Sequence, residues 1–414
     1  MRRRWVTRCA AIATGALVLA TVVPLAVPTA MAGSAPFAVD EDIIYAQTPV
    51  TDERFGSAVA IDGDTLVVGV PEYDTLAGPQ NVGRVDVFVR SGTDWVKQTS
   101  LYASAPGDGD KFGTSVAISG DRIVVGAPFY YGSHGESGAA YVFTRTGTAW
   151  SAADMLPDEF AQEGDQIGQS VDIEGTTIVV GCPGDSSGRG AVRPIYWNGS
   201  DWDSGGGVHL LDPSGMAGDR LGTCVSLSGN TVLASAGGDD VGTVAAIVDA
   251  GSVLSFTRSG TTWSFEQKWQ APTPVADEQF GGPIDLQAGG YVAVIGSPAH
   301  DVGAEVDKGI AYVYARGTSG WVLTATLDNP GPNSPDGDWF GSAVAFDGHN
   351  LILIGAFWDD LHTGAAYYFQ YREGEWVMAQ KVTPDAYPCC ALFGDSAALD
   401  GGIAMIGATL ASTG

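Results

Sequence analysis

Small and large residues alternate along short stretches of this chain, and each stretch is followed by a run of β-branched residues. The run "SVAI" at 115–118 alternates with a period of two, as a half-buried strand does. The run "RIVVGA" at 122–127 predicts a second strand, and the "SGD" between the two is hairpin chemistry. "GAAYVFTR" at 138–145 predicts a third strand. A "TGT" turn then leads into a fourth that opens at Trp150. No helical period appears beyond the first 32 residues.

The phrase repeats. Phe55, Phe112, Ile167, Leu221, Phe280, Phe340 and Phe393 are each followed by glycine, in steps of 57, 55, 54, 59, 60 and 53 residues. A second mark follows about fourteen residues later in every unit: "GVP" at Gly69, "GAP" at Gly126, "GCP" at Gly181, "SAG" at Ser235, "GSP" at Gly296, "GAF" at Gly355 and "GAT" at Gly407. Tryptophans at 95, 150, 202, 263, 321 and 376 mark the fourth strand. A unit of four antiparallel strands at this period is a propeller blade. One blade cannot bury both of its faces, so blades stack around an axis. The expected fold is all-β, a seven-bladed β-propeller over 33–414 with its last blade incomplete. Small inner-strand residues such as Ala58, Ala60, Ser115 and Ala117 would let the next blade approach. Val59, Ile61, Val116 and Ile118 would fill the gap, each contributing roughly 1.5–3 kcal/mol if fully buried. The last unit shows only two strands before Gly414, which reads as a truncated product. The spare segment at 42–47 is expected at the outer edge of that blade, leaving the third place empty.

The paired FG and GAP marks, with this strand pattern, resemble the FG-GAP repeat family. That repeat builds the N-terminal β-propeller of integrin alpha subunits and occurs in many exported bacterial proteins. The likeness covers nearly all of 42–414. It implies the fold, and for function it implies adhesion, sugar binding or another recognition role without naming the ligand. Integrin-type blades often carry a D-x-D-x-D-G calcium loop between their first two strands. Here that place holds only "DGD" at 62–64, "SGD" at 119–121 and "EGT" at 174–176. Calcium takes six to eight oxygens, so no metal site is expected, and no cofactor.

An acid stands two residues before the FG pair in six units: Glu53, Asp110, Asp165, Asp219, Glu278 and Asp338, with Ala391 breaking the series. A cation-binding ring is one reading. Turn chemistry, with each carboxylate accepting from backbone N–H groups, is the other, and regular recurrence favours it.

The first 32 residues run from Arg2, Arg3 and Arg4 through an apolar stretch to Ala30-Met31-Ala32, the order of a secretory signal peptide. Cleavage there would leave 16 basic against 48 acidic residues, a net charge of −32. Such a surface repels nucleic acid and anionic membranes, so neither is expected as a partner. Membrane insertion is not expected once the leader is removed. The mature cysteines are Cys182, Cys224, Cys389 and Cys390, too few for a disulfide scaffold. A Cys182–Cys224 bridge between blades three and four is one possibility, buried thiols the other. Cys389 and Cys390 could pair with each other or stay free.

The loops joining strand two to three, and strand four to the next blade, share one face of a propeller. Here those loops are long and varied, as in "FYYGSHGESG" at 129–138 and "FWDDLHTG" at 357–364, while the opposite face carries short, similar turns. Binding tends to reside in such variable loops. Tyr130, Tyr131, His134, Trp339, Trp358 and His362 are the candidate ligand-binding residues. They could stack on sugars or anchor a protein, or pack inward beneath their loops. No HExxH, G-x-S-x-G or Walker-type loop occurs, and no catalytic residue is assigned. Asn198-Gly199-Ser200 is a glycosylation sequon that turn chemistry explains equally well. The expected function is a secreted, non-enzymatic propeller binding a glycan or extracellular protein. The alternative is an extracellular polysaccharide lyase or hydrolase on the same scaffold.

Overall fold

A computed structural model describes residues 17–19, 44–45, 53–75, 78–157, 159–242, 247–331, 337–384 and 392–409. Most of the leader, Cys389, Cys390 and Ala391 lie outside the described residues. Within them the chain is an all-β propeller of antiparallel sheets, each strand pairing with the next in sequence. Blade one consists of Val59–Asp62, Thr65–Val70, Arg84–Ser91 and Asp94–Leu101. Blade two has Ser115–Ser119, Arg122–Ala127 and Ala139–Thr146, with a broken outer strand at Ala149–Trp150 and Asp154–Met155. Blade three has Ser170–Glu174, Thr177–Cys182, Ala191–Trp197 and Trp202–Asp203. Blades four, five and six follow with inner strands Leu221–Ser228, Ile284–Leu286 and Phe340–Phe346.

Six blades are thus each built within one repeat. The seventh repeat contributes Phe393–Asp400 and Ile403–Ala408 to a composite sheet. Ile44–Tyr45 is its outermost strand, the outer placing expected for the 42–47 segment. The third place is not empty, however. Leu17–Leu19 lies in it, with Val18 opposite Gly407 on one side and Ile44 on the other. An added strand satisfies backbone groups that a bare edge would leave unpaired. Ile44 joins Phe55, Leu66, Val68 and Met405 in one buried cluster, which couples this sheet to blade one.

The core is a set of such clusters between neighbouring sheets. Val67, Val85 and Tyr141, for instance, bind blade one to blade two. Deepest burial falls on the second strand, not the first: all six residues of Leu351–Ala356 are buried. Val116 and Ile118 are only half-buried, because the inner strands line an axial channel of about 270 Å³.

The two marks meet across each joint, glycine against glycine at six of the seven and Ser235 against Gly281 at the other. A side chain on Gly126 would collide with the Gly168 carbonyl of the next blade, and one on Gly355 with Gly394. At the ends of the chain Gly407 stands in the same relation to Gly56. The FG glycine itself has φ between 86° and 100° in all seven units, a left-handed conformation that glycine adopts freely. The repeated FG and GAP are therefore the two halves of one close backbone approach.

Among the described residues no helix is long and apolar enough to cross a membrane. Cys182 and Cys224 are not joined in a disulfide. They face different joints: Cys182 packs between blades two and three, Cys224 between blades four and five. Burial pushes the Cys224 thiol up to about 11.

Candidate functional site

Each of the six blades carries a small side-chain cluster, a closed chamber around a buried acid, beneath its long-loop face, built from three recurring positions. The first is the acid before the FG pair. The second lies four residues past the GAP mark: Tyr73, Tyr130, Asp185, Asp239, His300 and Asp359. The third lies three residues past the glycine that opens strand three: Asp86, Tyr141, Arg193, Leu254, Tyr312 and Tyr367.

The six acids are all buried. Four accept a hydrogen bond from the backbone N–H three residues earlier, as the turn reading expects: Asp110 from Gly107, Asp165 from Gln162, Asp219 from Met216 and Glu278 from Val275. Burial raises the carboxyls of Glu53, Asp110, Asp165 and Asp219. Turn chemistry is only half the account, because the chambers also hold counter-groups. Arg84 lies 3.3 Å from Glu53 in blade one. Arg193 donates to Asp165 and Asp185 at 2.9 and 2.8 Å in blade three. His300 Nδ1 meets Glu278 at 2.5 Å in blade five. Asn329 donates to Asp338 at 3.0 Å in blade six.

Blade four assembles Asp212, Asp219 and Asp239, whose carboxylate oxygens lie within 4.8 Å of one another. Lys268 Nζ stands 2.8 Å from both Asp212 and Asp239, so an ammonium supplies positive charge there. Burial would raise the Asp212 carboxyl, but the Lys268 and Ser214 hydrogen bonds outweigh it and hold it low.

The candidate aromatic residues fall into two groups on this face. On blade two, Tyr130 is half-buried and packs edge-on against Tyr141, with centroids 6.2 Å apart. Tyr131 is 71% exposed, on a small hairpin of Tyr131–Gly132 and Gly135–Glu136. His134 is exposed at the tip, 3.2 Å from the Ser133 hydroxyl. Tyr130 and His134 line a cleft of about 170 Å³, which Tyr131 does not.

On blade six, Trp339, Trp358 and His362 come together with Phe357, which sequence reasoning had passed over. Trp339 lies 5.3 Å from Trp358 and 5.5 Å from Phe357, and His362 stacks on Trp358 at 4.9 Å with the rings 28° apart. The loop beneath is strained. Asp360, Leu361 and His362 all have left-handed φ, of 50°, 61° and 69°, each costing on the order of 1–2 kcal/mol for a residue with a side chain. It is braced from below: Lys381 Nζ lies 2.8 Å from Asp359 and 2.9 Å from Asp360, and the Tyr367 hydroxyl donates to Asp359. Leu361 is left 70% exposed at the crest.

For Arg193 and His300 the sequence signal lies in the two offsets named above, visible once the repeats are aligned, whereas Arg84, Lys268 and Asn329 stand outside them. The family model for the FG-GAP repeat matches residues 39–88, 95–143 and 332–369. No curated protein matches the chain significantly. In these three segments the chain carries FG-GAP repeats.

Proposed function

We propose that this protein is an exported, non-enzymatic propeller that binds a glycan or an extracellular protein through its long-loop face. The two strands of the seventh repeat would count as the seventh blade; Leu17–Leu19 lies in the leader that export would remove, so its place in that sheet would belong to the chain before cleavage. One observation carries the reading: Trp339, Phe357, Trp358 and His362 form a contiguous aromatic shelf on a strained, ion-paired loop. Strained loops that the surrounding structure holds in place cluster at functional sites. Aromatic shelves offer apolar area at little entropic cost and take the face of a sugar or the apolar patch of a protein. The buried acids are held by internal partners, backbone N–H groups or counter-charged side chains, and serve the frame.

A glycan and extracellular-protein array with purified protein, with and without calcium, tests this. Saturable binding is expected, lost in Trp358→Ala, without turnover. Release of unsaturated or reducing ends from a polysaccharide would favour the lyase or hydrolase instead.

A further inference from the structure

Blade three departs from its neighbours within its own core. In blades two, five and six the FG phenylalanine meets two rings of strand three. Phe112 lies 5.5 and 6.0 Å from Tyr141 and Phe143. Phe280 lies 5.6 and 6.4 Å from Tyr312 and Tyr314. Phe340 lies 5.3 and 6.0 Å from Tyr367 and Phe369. The corresponding residues of blade three are Ile167, Arg193 and Ile195. All three line the 170 Å³ cleft, with Leu156 and Ala161 as further walls and Tyr130 and His134 from the blade-two hairpin. The cleft is space that an aromatic triplet fills elsewhere in the ring. An apolar cavity of about 150 Å³ is enough for one benzene-sized ring.

We infer that this cleft receives one aromatic side chain, tyrosine or phenylalanine, presented by a protein partner. The inference rests on the long-loop face being the binding face, and it names one contact there. Ile167, Leu156, Ile195 and Ala161 form apolar walls without side-chain hydrogen bonds, and the polar lining is confined to a few groups such as Ser133, His134 and Ser137, which suits one phenol hydroxyl better than the several hydroxyls of a sugar ring. The Arg193 guanidinium already serves two carboxylates, so the cleft is no anion site. Exposed Glu136 and the exposed Glu163, which lies against Gly135, belong to the same hairpin region. With a chain charge of −28, they favour a ring flanked by lysine or arginine.

Calorimetry and saturation-transfer NMR with acetyl-Lys-Tyr-Lys-amide, acetyl-Lys-Ala-Lys-amide, p-cresol and methyl α-glucoside test this. The tyrosine peptide should bind saturably with Kd on the order of 1 mM or tighter, and more weakly at high salt. p-Cresol should bind roughly tenfold more weakly by the loss of its charged flanks, and the alanine peptide and glucoside not at all. Ile167→Phe restores the residue that five other repeats carry. It should keep or raise Tm while weakening the peptide at least about tenfold by filling the cleft. If that variant folds poorly, Ala161→Leu closes the same space from the other wall. Tyr291→Ala, on the short-turn face, should bind as wild type. Absence of saturable peptide binding, equal binding of the glucoside, or full binding by both filled variants overturns the inference. So does p-cresol binding as tightly as the peptide, which would assign the cleft to free aryl compounds. An array ligand held by Trp358 beside a silent cleft would leave the binding-face reading intact and remove only this contact.

Discussion

The hub of the propeller and the chambers beneath its long loops are built from the same repeat, yet they differ in kind. At the hub six of the seven joints make the same approach, GAP glycine against FG carbonyl, from Gly69 with Gly113 round to Gly407 with Gly56. Even the exception keeps the geometry: Ser235 replaces the glycine in blade four, and its Cβ is the atom a side chain on Gly281 would strike. The chambers keep the acid but change what stands beside it: arginine on Asp165 in blade three, a lysine on the neighbouring Asp212 and Asp239 in four, histidine on Glu278 in five. Backbone packed on backbone admits one solution. A buried carboxylate needs only some donor, and many side chains provide one.

The largest effect should come from breaking the hub. Gly126→Val places a branched side chain on the Gly168 carbonyl, between two strands that cannot part without opening the joint. A loss of about 4 kcal/mol or more is expected, read as loss of cooperative β-sheet melting by circular dichroism. Near-wild-type Tm would mean that the joints are loose and the shared glycines incidental.

A chamber should break differently. Arg193→Met leaves Asp165 and Asp185 buried without their cation, at a cost of about 3–5 kcal/mol. The triple variant Asp165→Asn, Asp185→Asn, Arg193→Met should recover much of that loss, because it removes the charges together. Chemical denaturation of the single and triple variants decides it. If the triple is no more stable than the single, the ion pairs contribute shape and not charge balance.

These two cases explain what could be read before any fold was known. Glycine is hard to replace at a close approach, with Ser235 the one exception, so its spacing survives as a pattern, and the strand alternation of 115–118 follows from the same sheets. Arg193, Lys268 and His300 have no common letter. They find their acids through the fold, across 28, 56 and 22 residues of chain to Asp165, Asp212 and Glu278. Phe357 escaped for a similar reason: it sits in the variable residue after "GA", and only the turn of the loop brings it to Trp339.

The inner strands offer a pH test of the same contrast. At one register position blades one, two and six carry Ala60, Ala117 and Ala345, whereas blades three, four and five carry Asp172, Ser226 and Asp285. Asp172 accepts from Leu227 N–H at 2.7 Å and Asp285 from Phe346 N–H at 2.7 Å, each reaching the next blade. Burial pushes these carboxyls up to about 6 and about 7, from an ordinary 3.8. The folded protein therefore holds protons that the unfolded chain releases. Their contribution is fully present below pH 3.8 and is lost as pH rises through 6 and 7. Between pH 5 and 8 wild type should lose about 2–5 °C of Tm to this pair, and Asp172→Asn with Asp285→Asn should flatten that slope. An unchanged slope would place the titration elsewhere, with Asp110 or Asp219 the next to test.

The smallest effect separates two neighbours in one loop. Tyr130 and Tyr131 look alike in sequence, and both were read as surface candidates. Tyr130 is half-buried on Tyr141 and lines the cleft, while Tyr131 projects with 71% of its area exposed. Tyr130→Ala removes an edge-to-face ring contact and buried area, so a loss of about 1–2 kcal/mol is expected. Tyr131→Ala removes only solvated surface and should fall within about 0.5 kcal/mol of wild type. Any deficit it shows in partner binding therefore reports contact with the partner and not damage to the ring. Thermal melts of the two single variants, beside binding of whatever ligand the array returns, distinguish these roles. A clear stability loss in Tyr131→Ala would mean that the hairpin tip holds part of the chamber shut, and the division between frame and recognition surface would then have to be drawn one residue further out.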